Sequence, residues 1–417
     1  VTAAAVADTG EKKKLNICLV AQRFPVLGRA SDHSFLWPIA RGLSQIGHRV
    51  TVIGGQSNLG KSEVQRDQVQ GYFLHDSNPQ FAGVPFQEAA YEKFLSLHRA
   101  QPFDLVHCMD KSGYRISKNK KNLKVKVAYD VEATEISHIF SALAMSEENL
   151  GSLLSTFASV SYRFLTTYFG KDRDILKSAD GVFVTSPEQR FFLERYYLFP
   201  DHHIYTVPYG LELGDLSAKP EAVELRKKYN LPESCHLVLT VTDMAVPEEM
   251  KNLLRAFERV AVKKPNAYLI MIGSGPGWKA IEFEMLNLAL GSKTIMTGAL
   301  STEEVFDWIS IADVFVNMSA RRTGYEISLF EAMAQKKVII GSEMSPVANV
   351  IEDSQDGFLL RPADTQSLAH LLTELFSGSI PTTEIAEKAR QKVIQLFDPQ
   401  RMIQSVEAAY TQILKRS

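Results

Sequence analysis

The sequence predicts an α/β fold: two Rossmann-like domains with parallel sheets facing a central cleft. Three observations lead there. Short apolar runs of strand length recur, as in Leu15–Ala21, Ala179–Thr185, His236–Thr242 and Ala267–Gly273. Longer amphipathic stretches separate them, and such alternation requires helical layers on both sheet faces. The length of 417 residues exceeds what one core organises comfortably, so two cores are expected.

The composition is that of an ordinary globular chain, with 45% apolar and 23% charged residues. A net charge of −2 offers no general attraction for nucleic acid, and none is expected as a partner. Cys18, Cys108 and Cys235 are dispersed without disulfide or metal spacing, and read as small buried hydrophobes. No signal-peptide pattern precedes the first strand and no 18-residue apolar run occurs, so a cytoplasmic protein is the expectation.

Taken in order, residues 1–14 read as a flexible tail. Leu15–Ala21 is a central parallel strand. A loop with Phe24, Pro25 and Gly28 leads to a helix over His33–Ile46, which Pro38 should bend or interrupt. Gly47–Gly54 restarts a strand and completes a βαβ unit, with His48 as a structural helix-end residue. Val69–His75 reads as a strand and Phe86–Leu97 as a helix. Asp104–Asp110 and Val125–Glu132 are buried strands that end in polar residues.

Ile136–Phe169 carries many aromatic residues and fits two amphipathic helices. They would pack on the first sheet, or form an apolar rim that takes a lipid-linked substrate or touches the inner face of a membrane. Ser186 caps the helix after Ala179–Thr185, with Pro187 in its first position. His236–Thr242 opens the second domain, and a helix follows over Asn252–Lys264. Ala267–Ile272 runs into Gly273-Ser-Gly275-Pro276, then a helix from Trp278 to Ala289. Closely spaced glycines let backbone approach a ligand.

Ala312–Asn317 is a strand and Leu329–Ala334 a helix. Gly324 offers a turn between them that delivers a helix N-terminus to a sheet edge, where amide donors can hold an anion. Glu331 interrupts that apolar helix. A buried carboxylate needs partners, which sugar hydroxyls or a ribose would supply. The strand Lys337–Gly341 follows, and Phe397–Leu414 is a last amphipathic helix.

The segment Ser319–Glu331 resembles the Glu-x7-Glu stretch of retaining, nucleotide-sugar-dependent glycosyltransferases of the GT4-like family, which have the GT-B fold. The likeness spans about residues 15–417, and Gly273-x-Gly275-Pro276, Gly298, Asp313 and Glu331 fall at matching separations. It implies a first domain over 15–215, a donor-binding domain over 216–395, and a helix over 396–417 that returns to the first domain. The implied activity moves a sugar, with retention, from a nucleoside diphosphate sugar to a glycan, lipid-linked saccharide or other glycoconjugate hydroxyl. No cofactor is implied, and no Asp-x-Asp motif or His/Asp cluster stands at a strand end to suggest a metal.

The resemblance also assigns residues. Glu331 would bind the donor ribose, Lys251 the diphosphate, and Gly273, Gly275, Pro276 and Gly298 would line the nucleotide. His33, His107 and Asp110 fall on the acceptor side. The chain departs from the pattern at charged positions. Thr323 replaces the first carboxylate, which leaves Glu326 as its substitute. Asp243 stands where the family has an Arg. No His lies near Asp130 and Glu132, which become sugar-contact candidates. Glu343-Met344 replaces paired glycines. These departures keep a second class open: a binding or regulatory subunit, with a partner protein, that retains the shell. A phosphosugar enzyme of different chemistry is a third.

Overall fold

The structure, a computed structural model, describes residues 13–24, 36–56, 60–74, 84–109, 111–131, 171–208, 210, 220–320, 327–344 and 347–416. His33, Asp110, Glu132, Thr323, Glu326 and the aromatic segment 136–169 lie outside them.

Among the described residues the first sheet has eight strands: β1 (Asn16–Arg23), β2 (Arg49–Gln56), β3 (Glu63–Arg66), β4 (Val69–Phe73), β5 (Leu105–Met109), β6 (Lys126–Asp130), β7 (Gly181–Val184) and β8 (Ile204–Thr206). Their order is β3-β4-β2-β1-β5-β6-β7-β8, parallel except for the β3–β4 hairpin. Helices α1 (Leu36–Gln45), α2 (Val84–Ala100), α3 (Tyr114–Leu123), α4 (Lys171–Ser178) and α5 (Pro187–Tyr196) connect them. The α6 helix (Pro220–Lys228) precedes the second sheet.

Among the described residues that sheet has six parallel strands: β9 (His236–Val241), β10 (Ala267–Ile272), β11 (Thr294–Gly298), β12 (Val314–Asn317), β13 (Val338–Ser342) and β14 (Phe358–Leu360). The order is β11-β10-β9-β12-β13-β14, so the connections reverse direction between β9 and β12. Helices α7 (Pro247–Lys263), α8 (Trp278–Asn287), α9 (Thr302–Ile311), α10 (Ile327–Ala334), α11 (Thr365–Leu375) and α12 (Thr382–Leu396) cover it.

Three aspartates fix strand register by one device. Asp104 donates its amide to Asn16 O and accepts from Asn16 N at 2.8 Å; Asp180 does the same to Val127, and Asp313 to Leu237. Each stands at the start of a parallel strand, so its carboxylate satisfies the first amide of the neighbour. Asp313, which the sequence pattern grouped with the site, is thus a register clamp.

The last helix, α13 (Pro399–Lys415), leaves the second sheet and packs on the first, against α1 and β6. Asp398 caps it through Gln400 N at 2.9 Å. Its buried face carries Met402, Ile403, Val406, Ala409, Tyr410 and Ile413. His48 joins this contact. Its Nδ1 accepts from Leu15 N at 3.1 Å and its Nε2 lies 3.7 Å from Glu407 Oε1, in keeping with a structural role.

One expectation about a helix needs correction, while that for Pro38 in α1 turns on a helix start that lies outside the described residues. The helix after β9 begins at Pro247 instead of Asn252. Proline is pre-organised for a first helical position, and it starts the helix one turn earlier than the apolar periodicity suggested.

Candidate functional site

The reversal between β9 and β12 is a topological switch point, where two successive connections leave a crevice beyond the strand ends. The turns after β9, β10 and β11 meet beside it. Thr242 N donates to Ile272 O at 2.9 Å, Gly273 N to Gly298 O at 2.9 Å and Gly277 N to Met244 O at 3.0 Å. Gly273, Gly275, Pro276 and Gly298 are therefore brought into one backbone assembly with Asp243.

The glycines have a reason other than a ligand. A Cβ at Gly275 would stand 1.8 Å from Asp243 O, so a side chain is excluded by the chain's own preceding turn. Gly298 is different: a Cβ would meet nothing within 4 Å, but φ is +78°, a conformation that L residues rarely adopt. Only Gly298 of these two faces open space.

Charge in the site is balanced locally. Asp243 Oδ1 accepts from Ala245 N at 3.0 Å, which turns its own loop. Lys251 lies in the second turn of α7 and its Nζ bonds Glu248 Oε1 at 2.7 Å. The first turn of α7 instead carries Glu248 and Glu249, which suit the positive end of a helix dipole. Glu343 N donates to Leu360 O at 2.8 Å, and its half-exposed carboxylate lies 3.4 Å from Arg361 Nε.

Glu331 is 6% exposed on α10, in a helix whose sequence Ile-Ser-Leu-Phe-Glu-Ala-Met-Ala is otherwise apolar or small. Its neighbour Phe330 lies tilted against Phe397, with centroids 4.1 Å apart. Sequence reasoning missed Glu249, which is 5% exposed. Its Oε1 accepts from Ala320 N at 2.8 Å and from Ser319 Oγ at 3.3 Å, and so ties α7 to the turn after β12. The signal was present as Pro-Glu-Glu: a proline at the first helical position puts the second carboxylate in the first turn.

On the first sheet, His107 does not lie on an open surface. It is 2% exposed in β5, tilted against Phe183 at 4.7 Å, with Nδ1 2.7 Å from Tyr410 Oη. Burial pushes its pKa down to about 3, so the ring is neutral. Burial, then the nearby Asp130, holds the Tyr410 hydroxyl well above its usual range. Asp130, 4% exposed at the end of β6, places Oδ2 3.9 Å from His107 Nε2. A cavity of about 10 Å³ borders Asp130 together with Thr185, Pro208 and Met402. Among the described residues, no group of three or more His, Cys, Asp or Glu side chains is placed to hold a metal ion. No described helix is long and apolar enough to cross a membrane.

Comparison with known proteins agrees with this architecture. Residues 222–392 match the family described as "Glycosyl transferases group 1". An N-acetyl-alpha-D-glucosaminyl L-malate synthase of Bacillus anthracis is 22% identical over 197 residues, covering 47% of this chain and 51% of that protein. The chain spans about half the length of the curated relatives it matches. The sucrose-phosphate synthase of Thermosynechococcus elongatus superposes with a TM-score of 0.77 at 18% identity, over 97% of this chain and 100% of that one. Anabaena HepE, solved in complex with UDP and glucose, superposes with a TM-score of 0.71 at 14% identity, over 95% and 100%. The chain thus has the GT-B fold, two Rossmann-like sheets flanking a cleft, and is related to the GT4-like glycosyltransferases.

Proposed function

We propose that this chain is a glycosyltransferase that moves a sugar from a nucleoside diphosphate sugar to a hydroxyl of a glycan, lipid-linked saccharide or glycoconjugate, with retention. One observation carries the reading. The turns after β9, β10 and β11 are joined by backbone hydrogen bonds, and Glu249 ties the turn after β12 to the helix that follows β9, all inside the stretch matched to group 1 glycosyl transferases. A relative solved with UDP and glucose supports a nucleoside diphosphate donor.

In this reading the turn at Gly273, Gly275 and Pro276, with Gly298, borders the nucleotide, and Glu331 accepts from the ribose hydroxyls. Lys251, exchanging Glu248 for phosphate, stabilises the charge that develops on the leaving diphosphate. Asp130, Glu132, Thr323 and Glu326 contact the transferred sugar. His33 and Asp110 serve the acceptor side, while His107, enclosed in the core against Tyr410, supports the strand that leads there instead of touching the acceptor. The acceptor hydroxyl enters on the face the leaving group vacates, which gives retention. The domain limits 15–215, 216–395 and 396–417 belong to the same proposal.

A second reading, a binding or regulatory subunit, draws on one observation: Glu248 and Glu249 occupy the helix start where a diphosphate favours cations and amides. Titration against a panel of nucleotide sugars, followed by hydrolysis and transfer assays on the hits, separates the two. Saturable binding with donor turnover is the expected result. Absence of binding to every nucleotide sugar, with tight capture of a second protein, would overturn it. An anomer-resolved product assay tests retention.

A further inference from the structure

We propose that Glu249 is a positioning residue, which seats the backbone after β12 for donor binding; this rests on the donor site proposed above. The residue is a nearly enclosed carboxylate, and such a group is costly to bury unless its oxygens are occupied. Its Oε1 takes both the Ala320 amide and the Ser319 hydroxyl. The α7 helix has no side-chain cap on its first amides, yet this first-turn carboxylate reaches across to a neighbouring connection. Bonds from a charged acceptor to a backbone amide are among the stronger ones a protein makes.

The location gives the contact its consequence. The strands β9 and β12 are neighbours, and the connections leaving them diverge at the switch point. Glu249 stands on the first connection and Ala320 on the second, so their bond spans the crevice floor. Asn317 Oδ1 also accepts from Ser319 N, at 3.3 Å, so the turn is held from its own strand as well. Seven positions after Ala320 the α10 helix begins, and it carries the buried Glu331. The start of that turn is set by Glu249, and small displacements of binding groups are expensive for recognition.

The test compares the wild-type chain with Glu249→Ala, Glu249→Asp and Glu249→Gln. Two quantities are read: hydrogen exchange at the Ala320 amide, and affinity for UDP and UDP-glucose by calorimetry. Glu249→Ala should speed exchange at Ala320 roughly tenfold, the loss of one hydrogen bond. It should weaken UDP binding about tenfold or more through displacement of the turn. Glu249→Gln keeps an acceptor oxygen and should restore most of both, whereas Glu249→Asp, one methylene short, should restore little. If the alanine variant does not fold, the aspartate and glutamine variants decide alone. Unchanged UDP affinity in a folded variant with faster exchange overturns the positioning role and leaves the donor reading intact. Tighter UDP binding also overturns it, because the carboxylate would then compete with the phosphates. If the wild-type chain takes neither UDP nor UDP-glucose, the variants are compared on whichever nucleotide sugar of the panel it does bind, and a chain that binds none overturns the donor reading and the positioning role with it.

Discussion

His107 in β5 and Tyr410 in α13 stand 303 positions apart in sequence and share a 2.7 Å hydrogen bond inside the first core. The bond joins the strand at the centre of the first sheet to a helix that the chain delivers only after completing the second. Tyr410→Phe leaves the imidazole Nδ1 without that partner, in a site closed to water. The expected loss is about 1–3 kcal/mol in urea unfolding. A midpoint equal to wild type would show that the bond contributes nothing.

The same ring gives the stability a pH dependence. His107 is held at about 3 when folded, against 6.5 for an ordinary histidine. Between these values the unfolded chain binds the extra proton, so stability rises with pH. The contribution is complete above 6.5 and is lost as pH falls toward 3, at roughly 1.4 kcal/mol per pH unit in the window. His107→Gln should flatten the dependence of unfolding free energy on pH there. An unaltered slope would mean that other groups govern it.

Gly275→Ala and Gly298→Ala should differ sharply. The first forces a methyl to 1.8 Å from a backbone oxygen, and the turn after β9 must move. The second meets open space and suffers only the strain of φ +78°, about 1–2 kcal/mol. Thermal unfolding measures both. Equal effects would refute the close-approach account of Gly275.

Asp313→Ala removes the acceptor for Leu237 N at the start of β9 and should cost about 1–3 kcal/mol. Asp313→Asn retains a carbonyl oxygen and should cost less. Denaturant titration of the two variants checks the order, and a reversed order would remove the clamp explanation.

Glu331→Gln tests the proposed ribose contact. The neutral amide accepts more weakly than a carboxylate, and UDP affinity should fall about tenfold. Calorimetry against wild type decides, and an unchanged affinity would remove Glu331 from the nucleotide site.

Much of the fold was legible because buried parallel strands write themselves as apolar runs and helix starts carry distinct chemistry. Ser186 with Gln189 and Ser301 with Glu304 both form reciprocal caps. The misses have physical reasons. The β3–β4 hairpin turns on Asp67 and Gln68, both with positive φ, so no glycine announced it. The α3 helix, Tyr-Arg-Ile-Ser-Lys-Asn-Lys-Lys-Asn-Leu, buries only Ile116 and Ser117 and shows little apolar periodicity. In the site, residue types were readable but pairings were not. Lys251 looked like a helix-start cation, and its bond to Glu248 depends on where the helix begins. His107 looked like an acceptor-side group, and its partner comes from the far side of a second sheet.

The return of α13 also sets a timetable. On a ribosome, β1 to β8 emerge well before Met402, Val406, Tyr410 and Ile413 exist to cover them. A Cβ at Gly181 in β7 would fall 2.5 Å from Ile413 Cδ1, which shows how closely that late helix seats on an early strand. Until it arrives, the nascent first half carries an uncovered apolar seam beside His107 and Phe183, a surface that chaperones recognise. The half that is synthesised first is therefore the half that is finished last.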